Sequence, residues 1–206
     1  MVAIIDYDAG NIKSVEKAIE FLGHRAVITR KKDEILSADH VILPGVGAFG
    51  DAMEKLHRYG LTEVIREVTE GQVPFLGICL GLQLLFESSE ESPGVPGLGI
   101  LPGSVYRLPE EEGLKVPHIG WNGLRFPGES QLFRGLKEPS YVYFVHSYCL
   151  QARDTAMVAA VTEYGVTFHA AVEHKNIFAC QFHPEKSSDT GLRILQNFLQ
   201  TDRREK

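Results

Sequence analysis

The sequence predicts an α/β fold: an open, mixed, mostly parallel central sheet flanked by helices, with added antiparallel strands in the second half. Three observations point to it. Short apolar runs alternate with helical patterns as far as Glu91, and alternation at this pace implies a parallel sheet covered on both faces. A cysteine flanked by glycines, Gly77-Ile78-Cys79-Leu80-Gly81, joins an apolar run to a helical one. After Glu91 the chain passes through Ser92-Pro93-Gly94-Val95-Pro96-Gly97 into strand-like runs with a single further helical pattern.

Residues 2–5 form a short run of branched apolar residues and read as the first buried strand. The turn Asp6-Tyr7-Asp8-Ala9-Gly10-Asn11 leads into a helix marked by Ile12, Val15, Ala18, Ile19 and Leu22, with Gly23 where a terminating glycine belongs. Residues 26–29 and 40–43 give a second and a third strand. Phe49, Ala52, Met53 and Leu56 line one helical face, and Leu61, Val64, Ile65 and Val68 another. Residues 73–76 form the strand before the cysteine, and residues 82–86 continue as a helix. Strand-like segments follow at 104–108, 141–145, 157–162, 167–173 and 177–182. A last helix carries Leu192, Leu195, Phe198 and Leu199 on one face. The final strand and helix read as a return to the main sheet, so residues 1–201 are expected to form one domain, followed by a charged tail at 202–206.

Composition narrows the class. A chain of 206 residues with 44% hydrophobic and 23% charged content is an ordinary globule that can bury a full core without disulfides. Its three cysteines, Cys79, Cys149 and Cys180, are widely spaced and cannot all pair, which points to the reducing cytosol. No apolar run approaches the length of a membrane span, and the N-terminal run lacks the basic start and the length of a signal peptide. A net charge of −6 argues against general nucleic-acid binding, which needs a basic surface to neutralise phosphates.

The chemistry gathers at two motifs. A nucleophile with a glycine two positions away on each side suits a sharp strand-to-helix turn, because the small residues let neighbouring backbones approach. Such a turn presents the Cys79 sulfur at a helix N-terminus, where oriented N–H groups favour negative charge. A free cysteine is also among the most buried residue types, so a plain core role is the alternative. In Gln181-Phe182-His183-Pro184-Glu185, the proline biases His183 towards an extended conformation, which places His183 and Glu185 on one side. The carboxylate would then fix the imidazole tautomer and leave the other ring nitrogen to take a thiol proton. Both motifs fall at C-terminal ends of strands, the edge of a parallel sheet where ligands bind. The backbone N–H of Leu80 and an N–H from Pro44-Gly45-Val46-Gly47 are candidate oxyanion donors.

Other patterns are weaker. Gly45-Val46-Gly47-Ala48-Phe49-Gly50 matches a dinucleotide fingerprint, but it follows the third strand and is preceded by a proline. Cys180 and His183 lack a second pair at ligand spacing, so no metal site is expected, and Cys149 and Cys180 read as core. Trp121, the only tryptophan, lies in His118-Ile119-Gly120-Trp121-Asn122, read as a loop bounded by Pro117 and Gly123. It is either a core anchor or an exposed aromatic at an interface.

Gly-Ile-Cys-Leu-Gly-Leu-Gln at 77–83, Pro-Gly-Val-Gly at 44–47 and His-Pro-Glu-Lys-Ser at 183–187 resemble the class I, triad-type glutamine amidotransferases, whose fold is flavodoxin-like. Asp-Tyr-Asp-Ala-Gly-Asn at 6–11, Pro-His-Ile-Gly-Trp-Asn at 117–122 and Tyr-Phe-Val-His-Ser-Tyr at 143–148 make the set similar to the glutaminase subunits of imidazole glycerol phosphate synthases. The resemblance implies a Cys79, His183 and Glu185 triad that hydrolyses L-glutamine through a thioester, with Val46, Gly47 and Leu80 at the oxyanion. It implies glutamine binding by Gln83, His146, Ser147 and Tyr148, with Glu91 a further candidate. It implies no cofactor and no metal. The ammonia would pass to a separate (β/α)8 barrel cyclase subunit, forming a heterodimer, with Asn11, Trp121, Tyr143 and Lys186 at or near the interface. The cyclase would use it to make imidazole glycerol phosphate and aminoimidazole carboxamide ribotide in histidine biosynthesis. Another amidotransferase, a thiol hydrolase with the same cysteine turn, or a non-catalytic binding module are the competing readings.

Overall fold

The computed structural model describes residues 1–110 and 113–202. The strands and helices in chain order are β1 (Val2–Ile5), α1 (Ile12–Phe21), β2 (Ala26–Thr29), α2 (Lys32–Leu36), β3 (His40–Gly45), α3 (Phe49–Arg58), α4 (Leu61–Glu70), β4 (Phe75–Cys79) and α5 (Leu80–Leu84). They continue with β5 (Ser88–Ser89), β6 (Gly103–Arg107), β7 (His118–Leu124), β8 (Ser140–His146), β9 (Tyr148–Ala152), β10 (Val158–Tyr164), β11 (Val166–His174), β12 (Ile177–Cys180) and α6 (Ser188–Leu199). Most of the charged tail, from residue 203 on, lies outside the described residues.

Among the described residues, ten strands form one sheet in the order β2-β1-β3-β4-β12-β11-β9-β6-β5, with β10 paired to β11. The first five are parallel, in registers that include Ile4↔Ile28, Ile4↔Ile42, Leu43↔Gly77 and Ala179↔Gly77. The rest add mostly antiparallel pairs. The last strand and helix do return to the parallel half, since β12 inserts beside β4. Strand order reverses at β1, since β2 and β3, the next two strands in the chain, pair on opposite sides of it, and such sheets bind ligands at their C-terminal edge.

Strand alternation sorts the core into two layers. Ala3, Ile5, Val41, Leu43 and Phe75 face α2, α3, α4 and α5, while Val2, Ile4, Ile42, Leu76 and Ile78 face α1, α6 and the β7–β8 ribbon. Each fully buried aliphatic or aromatic side chain contributes about 1.5–3 kcal/mol through removal from water. The terminating role read for Gly23 holds: it has φ +84°, its N–H donates to Glu20 O, and the His24 N–H donates to Ile19 O. Among the described residues, no helix is long and apolar enough to cross a membrane.

The structure corrects the sequence reading in four places. Residues 118–122 are not a loop: β7 pairs antiparallel with β8, Trp121 opposite Tyr143 and His118 opposite His146. Glycines at 120 and 123 masked the alternation, which survives as His118 and Leu124 buried against Ile119 and Trp121 exposed. The chain beyond His183 is not extended, because Pro184–Lys186 is a turn of 3-10 helix. The helix after Cys79 begins at Leu80 and ends at Leu84, earlier than its apolar pattern suggests. The strand read at 141–145 extends to His146 as β8, and after Ser147 an unforeseen strand, β9, pairs with β6.

Candidate active site

Four chain segments leave the C-terminal edge of the parallel strands together: the loop after β1, the loop after β3, the elbow after β4 and the turn after β12. The elbow is the sharpest. Cys79 has φ 55° and ψ −107°, a region that side-chain-bearing residues rarely occupy, and it serves as the N-cap of α5. Holding a residue there costs about 1–3 kcal/mol and persists only where the surroundings over-determine it. Gly81 is what does so: a Cβ at this position would collide with the Leu43 carbonyl oxygen of β3, so only glycine lets α5 lie this close to the sheet. A Cβ on Gly77 would in turn come within 2.8 Å of the Gly81 carbonyl oxygen.

The turn after β12 brings the second motif to the cysteine. His183 keeps the extended backbone expected before proline (φ −102°, ψ 95°), and its N–H donates to the Tyr143 carbonyl at 2.9 Å. The buried Ser187 hydroxyl donates to His183 O at 2.7 Å and accepts from Tyr143 N–H at 2.9 Å, fastening the turn to β8. His183 Nδ1 lies 2.8 Å from Glu185 Oε1, and both side chains are buried. The pair therefore forms as the sequence implied, although a 3-10 turn and not an extended segment brings it together. The carboxylate has a further donor that the sequence did not reveal, Asn11 Nδ2 at 2.7 Å. Asn11 sits at the N-terminus of α1 with φ 66° and makes no capping bond, its amide being directed to Glu185 instead. Arg30 braces the loop that carries Asn11 by donating to Asp6 at 2.7 Å and Asp8 at 2.8 Å.

With Nδ1 committed to the carboxylate, the His183 nitrogen left for chemistry is Nε2, which has no other partner and has Cys79 as its neighbour. Burial alone would lower the pKa of this imidazole. The neighbouring Cys79 and Glu185 outweigh burial and raise it to about 10. The shift favours the protonated ring, so a proton that leaves Cys79 is held at Nε2, from where it can pass to a leaving group.

Cys79 opens on a cleft of about 370 Å³. Leu80 and Gln83 line it from the elbow, Val46 and Gly47 from the loop after β3, and His146, Ser147 and Tyr148 from the junction of β8 and β9. Gly47 has φ +106°, which only glycine adopts readily, and the loop it belongs to edges the cleft opposite α5. Glu91 also borders the cleft, but its Oε2 accepts the Phe49 N–H at 2.8 Å, and Ser92 Oγ accepts the Gly50 N–H at 3.0 Å. The N-terminus of α3 is thereby satisfied by side chains, which removes the phosphate-binding end that the Gly45–Gly50 fingerprint would require.

Sequence reasoning overlooked Gln181 as a site residue. It is fully buried, its Nε2 lies 3.7 Å from Cys79 Sγ, and its Oε1 accepts from Gln83 Nε2 at 3.0 Å. The signal was available, since a glutamine closing an apolar strand has to be satisfied by something. Cys149 and Cys180 are buried in the core as expected. Burial pushes Cys149 up to about 12 and Cys180 well above an ordinary thiol. Of the residues read as interfacial, Trp121 is 54% exposed and packs edge-on against Tyr143 with centroids 6.2 Å apart, and Lys186 is exposed. With Ile119 and Tyr141, Trp121 and Tyr143 leave one face of the ribbon apolar and open.

The family model for class-I glutamine amidotransferases matches residues 3–201. The chain is 54% identical over 197 residues to the imidazole glycerol phosphate synthase subunit HisH of Moorella thermoacetica, covering 96% of this chain and 93% of that protein. It is 48% identical over 200 residues to the HisH subunit of Methanocaldococcus jannaschii, covering 97% and 99%. Among solved structures, it matches PurLQS of Thermotoga maritima with a TM-score of 0.76 at 20% identity over 96% of each chain. A second match, a crystal structure described as a glutamine amidotransferase, has a TM-score of 0.74 at 22% identity over 97% of each. At such identities these two report on the fold.

Proposed function

Since this chain belongs to the class-I glutamine amidotransferases and is the glutaminase subunit of an imidazole glycerol phosphate synthase, we propose that Cys79, His183 and Glu185 carry out its glutamine hydrolysis. The Cys79 thiol proton passes to His183 Nε2 as Sγ attacks the side-chain amide carbon of glutamine, and the carbonyl electrons move onto oxygen. The N–H of Leu80 and an N–H of the Val46-Gly47 loop stabilise that oxyanion. Collapse of the tetrahedral species breaks the C–N bond as His183 gives its proton to the leaving nitrogen, releasing ammonia and a glutamyl thioester. Water then attacks the thioester, its proton passes to His183, and the C–S bond breaks to give glutamate and free Cys79. Glu185, fixed by Asn11, keeps the imidazole in one tautomer throughout.

The observation that carries this reading is the His183 ring, buried, bonded to Glu185 through Nδ1, with Nε2 free of other partners and Cys79 beside it. Gln83, Glu91, His146, Ser147 and Tyr148 border the space that the glutamine would occupy. Residues 1–201 act as a single amidotransferase domain. The chain works with a cyclase subunit, as the name of its relatives implies. We read that partner as a (β/α)8 barrel in a cytoplasmic heterodimer, docked on the face that carries Trp121, Tyr143 and Lys186. The apolar ribbon face supports this, because an exposed aromatic cluster of that kind is what interfaces bury. Asn11 borders the same region, although its side chain serves Glu185.

An electrophilic analogue of glutamine tests the site. Peptide mapping after treatment is expected to find the adduct at Cys79 alone, with Cys149 and Cys180 unmodified in the core. Labelling at no defined position would support a binding module instead.

A further inference from the structure

We propose that His118, on β7, is a positioning residue for the glutamine cleft: it fixes His146, which holds the Tyr148 carbonyl that shapes the cleft wall. The proposal deepens the glutaminase reading and rests on it. His118 is buried, with its ring stacked between Phe144 (centroids 4.8 Å apart, 21°) and Tyr164 (3.9 Å, 20°), so its plane cannot turn freely. His118 Nδ1 lies 3.0 Å from His146 Nε2, and His146 Nδ1 lies 2.9 Å from Tyr148 O.

The hydrogen-bond roles follow from the far end. A carbonyl oxygen only accepts, so His146 Nδ1 carries the proton and His146 Nε2 is the acceptor. His118 Nδ1 must then be the donor, leaving its Nε2 to accept from the Asn122 amide at 3.5 Å. Burial lowers His118 to about 4 and His146 to about 3, so both rings are neutral near pH 7, as this assignment needs. Both His146 nitrogens are committed internally. Its ring can form the cleft wall, but it has no free nitrogen for the substrate.

Tyr148 O accepts a second hydrogen bond, from Gln83 Nε2 at 3.0 Å. The same amide reaches Gln181 Oε1, and Gln181 Nε2 reaches Cys79 Sγ. A continuous chain of neutral donors and acceptors thus links β7 to the nucleophile through the cleft wall. Removing the donor at 118 strands His146 Nε2 as a buried acceptor, and the ring or the 146–148 segment must shift to satisfy it.

Two measurements test this. In the holoenzyme with the cyclase, His118→Phe keeps the stacking but removes the donor, and it is expected to raise KM for glutamine about tenfold while kcat changes by less than about twofold. His118→Asn, whose amide can take the place of Nδ1–H, is expected to restore KM to within about threefold. The ammonium-driven reaction stays unchanged in both. A normal KM in His118→Phe, equal damage in the two variants, or parallel loss of the ammonium-driven reaction would overturn the proposal. Nitrogen NMR of histidine-labelled wild-type protein at pH 7 gives a readout independent of folding in the variants. It is expected to show both rings neutral and protonated at Nδ1, and an Nε2–H tautomer or an imidazolium at either position contradicts the assignment. A wild-type holoenzyme that turned over no glutamine would refute the glutaminase reading, while the NMR result would still judge the His118 network.

Discussion

Cys79→Ala abolishes glutamine-dependent turnover by the reconstituted synthase, by about 10³-fold or more, while free ammonium salts still drive the cyclase reaction at the wild-type rate. The substitution removes the sulfur that forms the thioester and leaves in place the packing that supports the partner. Alanine tolerates positive φ no better than cysteine, so the elbow carries the same strain with or without the sulfur. Steady-state assays with each nitrogen source separate the two activities. Equal loss with ammonium would mean that Cys79 acts on the partner and not on glutamine.

Gly81→Ala is expected to be among the most damaging changes of a single methyl group. The new Cβ would overlap the Leu43 carbonyl oxygen of β3, a backbone atom that no side-chain rotation can move aside. Either α5 lifts from the sheet or β3 bends, at a cost of about 3 kcal/mol or more. Lifting α5 carries Cys79 and the Leu80 N–H with it by roughly an ångström, enough to lower glutamine hydrolysis about 10²-fold in whatever fraction still folds. Thermal melts with glutaminase assays check both effects. Gly128→Ala, where the added methyl meets nothing within 4 Å, is the control and should stay within about 0.5 kcal/mol of wild type.

The parallel half of the fold was legible because its strands are short apolar runs buried on both faces and its helices carry regular apolar stripes. The second half was harder. β7 escaped notice because glycines at 120 and 123 and polar residues at 118 and 122 interrupt its pattern, and its buried face is completed only by pairing with β8. β9 was hidden for a different reason: it continues the aromatic run of β8 with only Ser147 to mark the change of sheet.

In the site, Cys79, His183 and Glu185 could be read from local spacing, since each motif is set by neighbours in sequence. Asn11 and Gln181 could not be assigned in that way. Their roles depend on side chains 174 and 102 positions away, which meet only when β1, β4 and β12 align their C-terminal ends. Asn11, expected at or near the partner interface, turns its amide inward to Glu185. His118 illustrates the same limit: within its motif nothing distinguishes it from an ordinary loop histidine, and only the register that sets it opposite His146 gives it a partner.

Nitrogen released at Cys79 has to reach the cyclase product. Glutamine carrying ¹⁵N in its side-chain amide, supplied to the holoenzyme together with a large excess of unlabelled ammonium at a pH where little of it is free ammonia, tests this directly. Mass spectrometry of the imidazole product is expected to find it retaining ¹⁵N far above the bulk isotopic ratio. A product whose label matches the bulk ammonium pool would contradict direct transfer from this site.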